Sequence, residues 1–339
     1  MYSAARVGGP LRIVAAGGGT GLSTLLHGLK SYPQVDITAV VTVTDDGGSS
    51  GRLRRDFEVL PPGDIRNCMV ALSEDEALLS RLFQFRFASG RGLKGHSFGN
   101  LFLTALTHIT GDFPQAVKLS SEVLAIAGRI YPSTAANVVL EARLENGSRL
   151  FGETRISKSR SRIERILLNP RRCRPLKATL EAIAQADLIS FGPGSLFTSV
   201  VPNLLVHGIP QAIQRSPAVK AYFVNLMWQP GETVNFTTAD HVAAIYKHAR
   251  TRLLDYVVMN TRPISEASLR KYARQRARPV ANDLDRLAAM GLTIIGRDLL
   301  EESEKVRHCP EAIAAVALEL AAEGRRRRQK GHAQGSAAN

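Results

Sequence analysis

The first regular pattern in the chain is a short apolar run, "LRIVAA" (11–16), that ends in glycines and leads into "LSTLLHGLKSY", where Leu22, Leu25, Leu26 and Leu29 recur at helical spacing. A second run rich in β-branched residues, "DITAVVTVT" (36–44), completes a strand, glycine loop, helix, strand unit. Unbroken apolar runs suit strands covered on both faces, and parallel strands need helical crossovers. The alternation recurs as a helix from about Pro114 to Ala127, strand-like "NVVLEARL" (137–144), a helix near 175–185 and the runs "DLISFG" (187–192) and "AYFVNL" (221–226). A helix after Asp240, the run "DYVVMN" (255–260) and a terminal helix near 310–323 close the series. The pattern predicts an α/β fold with a mainly parallel sheet flanked by helices. With no internal repeat and no long linker, it predicts one large domain over residues 11–324, carrying an excursion near 145–177 where β-like and charged pieces mix.

Composition adds bounds. A chain of 339 residues with 44% hydrophobic content has ample material for a packed core. No run approaches the roughly 20 apolar residues of a membrane helix. The opening "MYSAARVGGPLR" lacks a signal peptide's apolar stretch, so a cytoplasmic location is expected. Cys68, Cys173 and Cys309 form no C-x-x-C pair and read as reduced structural residues. The net charge of +14 is concentrated: residues 154–177 carry +8 and the stretch from Arg325 carries +5. The polar final stretch, 325–339, is expected to be a disordered basic tail. Only 6% of residues are aromatic and none is interleaved with the charge runs, so specific nucleic-acid binding is not expected.

Candidate chemistry gathers in the loops that follow strands. Gly17, Gly18, Gly19 and Gly21 surround Thr20 between the first strand and the first helix, where unpaired N–H groups and the helix dipole suit a phosphate. The spacing is neither the dinucleotide fingerprint nor a Walker A loop. "TVTDDGGSSGRLR" (42–54) places Asp45 and Asp46 as candidate Mg²⁺ ligands, Ser49 and Ser50 as hydroxyl donors, and Arg52 and Arg54 as phosphate-pairing cations. "LPPGDIRNC" (60–68) offers Asp64, as a helix cap or a ligand, with Arg66 and Asn67 in the first turn. "KGHSFGN" (94–100) contains G-x-S-x-G, but no buried strand precedes it, so Ser97 is not a nucleophile; Ser97 and Asn100 read as ligand-bonding groups at a helix start. Gly194, Ser195, Thr198 and Asn203 follow "ISFGPG", and Asn225, Gln229, Glu232 and Thr233 follow a later strand. Together they suggest convergent loops around one cleft. His96, His241 and His308 read as hydrogen-bonding residues.

In order along the chain, "GGGTGLSTLLHGLK", "VTVTDDGGSSGRLR", "LPPGDIRNC", "LFQFRF", "GHSFGNLFLTALT", "GPGSLFTSVVPNLLV", "NLMWQPGET" and "VRH" resemble the gluconeogenesis factor family, the YvcK-like proteins. That family is similar to the 2-phospho-L-lactate transferases, the CofD-like proteins. The resemblance covers about residues 11–315. It implies a Rossmann-like, CofD-like fold and a cytoplasmic regulator of cell shape and cell-wall homeostasis during growth on gluconeogenic carbon sources. It also implies a UDP-sugar ligand, UDP-N-acetylglucosamine or UDP-glucose. Carried over, Asp45 and Asp46 stand on the metal side, Gly18 to Gly21 form the phosphate loop, and Arg307 in "VRH" contacts the diphosphate. Cell-wall synthesis proteins and a second copy of the chain are the implied partners. A metal-dependent transferase acting on a nucleotide-linked phosphoryl substrate is the alternative, with Asp45 and Asp46 as its catalytic candidates. Two positions depart from the family pattern: Trp228 replaces the usual Thr, offering a stacking face or filling a gap, and Cys309 follows "VRH" where Asp is usual.

Overall fold

A computed structural model of the protein describes residues 9–73 and 78–337. Strands β1 (Leu11–Gly17), β2 (Val35–Val41) and β3 (Arg129–Pro132) come first. The chain then builds a separate antiparallel sheet from β4 (Val139–Leu144), β5 (Arg149–Phe151) and β6 (Ile163–Asn169). It returns for β7 (Leu188–Phe191), β8 (Val219–Phe223), β9 (Tyr256–Asn260) and β10 (Thr293–Arg297), and adds a hairpin of β11 (Leu300–Glu302) and β12 (Val306–His308).

The central sheet has the order β10-β9-β8-β7-β1-β2-β3, and every pairing in it is parallel. From β1 the chain steps outward through β2 to β3, then crosses back to place β7 on the other side of β1. Connections leaving β1 and β7 therefore diverge, opening a crevice at their carboxyl ends. Buried Ile13, Val14, Ala15 and Ala16 put β1 at the centre of the core.

Helix α1 (Gly19–Leu29) buries Leu22, Leu25, Leu26 and Leu29, the residues whose spacing predicts it. Each such burial is worth roughly 1.5–3 kcal/mol. Gly28 lies on the same side: a Cβ there would stand 2.1 Å from the Pro310 carbonyl oxygen, so the terminal helix Pro310–Ala337 crosses α1 at backbone contact.

Two expectations need correction. "NVVLEARL" does not join the parallel sheet; β4 pairs antiparallel with β5 and β6. Apolar Leu140, Ala142 and Leu144 alternate with Glu141 and Arg143, the period-two sequence signature of a strand with one face on a core, although Glu141 is itself buried. The excursion consequently begins near 139, ahead of the expected 145. The basic stretch from Arg325 is not a disordered tail either. It continues the terminal helix, and Arg325 and Arg328 reach the carboxylate of Asp187, whose side chain is fully buried. Arg325 donates from Nη2 to Oδ2 at 2.7 Å and Arg328 from Nη2 to Oδ1 at 2.6 Å. Polar composition underestimates this segment because its partner lies 138 residues away in sequence. Residues 1–8 and 338–339 fall outside the described residues.

Among the described residues no single helix is long and apolar enough to cross a membrane. Cys68 and Cys173 are buried free thiols, and Cys309 is a partly exposed one.

Candidate functional site

The loop after β1 is built around close approaches. Gly18 is extended, and a Cβ on it would stand 2.7 Å from Oδ2 of Asp64; a Cβ on Gly21 would stand 2.4 Å from the Pro193 carbonyl oxygen. Only Gly19 of this loop needs the left-handed region, at φ +62°. Gly18 and Gly21 are thus required by the protein's own packing, which brings the Gly-Pro-Gly turn after β7 against the loop after β1. The N-cap of α1 is Gly18, which has no side chain to cap the helix; the Asp64 carboxylate takes the Gly19 N–H, and the other N–H groups of the first turn are left towards the crevice.

A cavity of about 410 Å³ opens there, at the crevice between β1 and β7. Gly18, Gly19, Thr20, Gly21, Gly194, Ser195, Asn225 and Arg307 line it, which brings together candidates from four separate loops. A second cavity of about 460 Å³ holds Arg66 and Asn67 and shares Thr20, Thr24, Arg307 and His308 with the first. The two are lobes of one cleft, and the β11–β12 hairpin forms the ridge between them. A hydrogen-bond chain braces the first lobe. Gly194 N–H donates to Asn225 Oδ1 at 3.3 Å, Asn225 Nδ2 to Gln229 Oε1 at 3.3 Å, and Gln229 Nε2 to Ser195 Oγ at 2.6 Å.

Beside the glycine loop lies a second group of candidates. Helices α2 (Gly48–Phe57), α3 (Gly63–Leu72), α4 (Leu78–Gln84) and α5 (Phe98–Thr110) follow β2. Asp64, in the first turn of α3, does not cap it: Pro62 holds the N-cap position, and the Asp64 carboxylate turns back to accept the Gly19 N–H. Burial, then the neighbouring Asp45, raises its pKa to about 7, while the Gly19 N–H and the Arg66 guanidinium pull it down. Asp45 Oδ1 accepts from Gly47 N–H at 2.8 Å, and Asp46 Oδ1 accepts from the N–H and hydroxyl of Thr154 at 2.8 and 2.6 Å. The excursion thereby delivers Glu153 to the acidic cluster. Burial, then Asp64 and Asp45, raises its pKa to about 9, and its Oε2 is buried without a partner.

This donor set bears on Mg²⁺. Among the described residues no three acidic, histidine or cysteine side chains converge to hold an ion by themselves. Carboxylates with uncommitted oxygens, and the orphaned Glu153 Oε2, are hard donors of the kind that hold Mg²⁺ jointly with phosphate and water.

Other candidates are occupied within the protein. Ser49 Oγ lies 2.9 Å from His96 Nδ1, and Ser50 Oγ accepts from Asn100 Nδ2 at 3.4 Å. Ser97 caps α5, accepting from Asn100 N–H at 3.3 Å. Arg52 donates to the Lys94 carbonyl at 2.8 Å, and Arg54 donates to Asn137 and the Val138 carbonyl. Thr198 donates to Glu232, which also accepts from Phe197 N–H, so Glu232 anchors the start of the helical segment after β7. Asn203 donates to the Gly17 carbonyl at 3.0 Å. His241 and His308 hydrogen-bond the carbonyls of Thr237 and Val224. Sequence reasoning missed Glu153, Ser23, Thr24, Tyr272, Glu301 and Ser303. Ser23 and Thr24 had a signal, being hydroxyls one turn past the glycine loop; the others had none, because distant segments bring them in.

The profile of the family described as "2-phospho-L-lactate transferase CofD" matches residues 13–300. The "Gluconeogenesis factor" of Halalkalibacterium halodurans is 47% identical over 308 residues, 91% of this chain and 95% of its own. The protein of that name from Bacillus subtilis is 47% identical over 310 residues, 91% of this chain and 98% of its own. A crystal structure of a UPF0052 family protein from Bacillus halodurans superposes with a TM-score of 0.88 at 45% identity, covering 92% of this chain and 99% of that one. A profile matched across most of the chain, with these relatives at nearly half identity, places the protein in the CofD family, among the gluconeogenesis factors.

Proposed function

We propose that this protein is a cytoplasmic regulator that binds a UDP-sugar and links carbon supply to cell shape and cell-wall homeostasis. The observation that carries the reading is the two-lobed cleft at the crevice between β1 and β7. The helix start at Gly18–Gly21, where Asp64 takes the Gly19 N–H and no N-cap side chain takes the rest, and Arg307 both line it, the chemistry a diphosphate needs. The names of the relatives support the metabolic side of the reading. A cell-wall synthesis protein, or a second copy of this chain, is the partner we propose to receive the signal.

The acidic cluster favours a second reading, a transferase acting on a nucleotide-linked phosphoryl group, as the family description suggests. Asp45 and Asp46 would hold Mg²⁺ against the phosphates, with the buried Glu153 carboxyl close by; the ion would supply charge neutralisation as the phosphoryl group transfers. Calorimetric titration with UDP-N-acetylglucosamine, UDP-glucose and GDP, with and without Mg²⁺, separates the readings when the recovered ligand is analysed. Selective binding of an unchanged UDP-sugar supports the regulator. A changed ligand, or preference for the guanine nucleotide, supports the transferase, and Asp45→Asn should then abolish turnover while part of the binding survives.

A further inference from the structure

We infer that the cleft reads its ligand in a fixed direction: the nucleotide base stacks on Trp228 in the first lobe, the diphosphate crosses the ridge at Arg307, and the sugar lies in the second lobe. The inference rests on the nucleotide-sugar reading above and adds an orientation and a base subsite to it.

The two lobes differ in what they offer. Trp228 and Tyr272 both line the first. The indole N–H of Trp228 donates to the Phe236 carbonyl at 3.0 Å, and its backbone N–H donates to the Arg278 carbonyl at 2.8 Å. The ring is therefore held in place, partly packed against the core, and with its N–H committed it has only π surface to offer a ligand. Tyr272 is similarly engaged, its hydroxyl accepting from Val306 N–H at 3.0 Å. The side-chain amides of Asn225 and Gln229 are tied into the chain that braces Gly194 and Ser195. A flat base gains from such aromatic side chains by stacking.

The second lobe has no Trp, Tyr or Phe among the described residues that line it. Ser23, Asn67, Glu301 and Ser303 line it with hydroxyls, an amide and a carboxylate, the kinds of group that bond sugar hydroxyls, with the Ser23 hydroxyl also donating to the Gly19 carbonyl at 3.1 Å. Glu301 and Arg307 are cross-strand partners in the hairpin, so a carboxylate for the sugar and a guanidinium for the diphosphate stand side by side. Arg307 and Thr20 border both lobes, where a diphosphate joining base and sugar must pass.

Trp228 is the sole tryptophan of the chain, so its fluorescence reports this one place. The expected result is quenching by UDP-N-acetylglucosamine, UDP and UMP, and none by pyrophosphate or N-acetylglucosamine 1-phosphate. Measured calorimetrically, Trp228→Ala should weaken UDP and UDP-N-acetylglucosamine alike, by roughly ten- to a hundredfold, the range of base–aromatic stacking. Trp228→Phe, which keeps a stacking face and loses only the N–H bond, should retain most of the affinity; this guards against a loss caused by loop misfolding. Glu301→Ala should weaken UDP-N-acetylglucosamine relative to UDP. The orientation is overturned if calorimetry shows tight UDP-sugar binding while Trp228 emission is unchanged and Trp228→Ala binds normally, or if Trp228→Ala weakens the sugar phosphate but not UDP. Calorimetry that detects no nucleotide sugar at all defeats the functional reading beneath it, a different result from either of these.

Discussion

Asp64 and Glu153 are carboxyl groups that burial and like charges hold in the protonated form to unusually high pH, about 7 and about 9. Their sign is opposite to that of a salt-bridged acid. The folded protein binds these protons more tightly than the unfolded chain, so stability declines as pH rises from about 3.8 to about 7 for Asp64 and from about 4.5 to about 9 for Glu153. Each group contributes at most about 1.4 kcal/mol per pH unit in that window. Glu153→Gln removes its share: urea midpoints should show the variant more stable than the parent at pH 8, with the gap shrinking towards pH 5. Mg²⁺ held by the cluster would narrow the same gap at pH 8. Asp64 matters for the ligand, because ionisation places a negative charge against Gly18 and Gly19. A UDP-sugar, whose pyrophosphate diester has no ionisation near neutrality, should bind more weakly as pH passes through about 7, and Asp64→Asn should flatten that profile. At this scale the sequence was informative where neighbours in space are neighbours in the chain, as with Asp45 and Asp46. It was silent about Glu153, which arrives with Thr154 from 108 positions beyond Asp46.

The β1–α1 unit shows how an element carries its site. Leucines at helical spacing bury α1, and the glycine loop lets the turn after β7 approach within contact distance. Gly21→Ala would press a methyl group to 2.4 Å from the Pro193 carbonyl. It should cost about 1–3 kcal/mol in denaturant unfolding, with ligand affinity lost in parallel because both walls of the crevice move. The strands of the parallel sheet were legible because two-sided burial leaves unbroken apolar runs such as "LRIVAA" and "DYVVMN". The β4–β6 sheet was only partly legible: its alternation is a strand signal, but nothing local says which sheet a strand joins. The positions of β11 and β12 in the cleft were likewise invisible, although "VRH" marked the residues themselves.

Across the whole molecule the start of β1 and the terminal helix are tied together through Asp187. Its carboxylate accepts from Arg12 N–H, Arg325 and Arg328, and Arg325 also donates to the carbonyls of Gly9 and Pro10. Removing both guanidinium groups leaves a buried charge with the Arg12 N–H but without its cationic partners, so Arg325→Met with Arg328→Met should cost about 3–5 kcal/mol of stability. Adding Asp187→Asn should restore part of that loss, and truncation after Gly324 should reproduce it; unchanged unfolding in all three would refute the latch. Part of the charge that reads as a basic tail is thus spent inside the fold. The same long-range closure creates the cleft, since the loops after β1, β7 and β8 and the hairpin near the chain's end meet only when the sheet is complete. The central claim is that this meeting point holds a nucleotide diphosphate. A crystal structure of the protein with UDP-N-acetylglucosamine tests it most directly: the account predicts the intact ligand with its diphosphate over Gly18–Gly21 and beside Arg307, and the ligand bound elsewhere, or that crevice closed to it, would contradict the account.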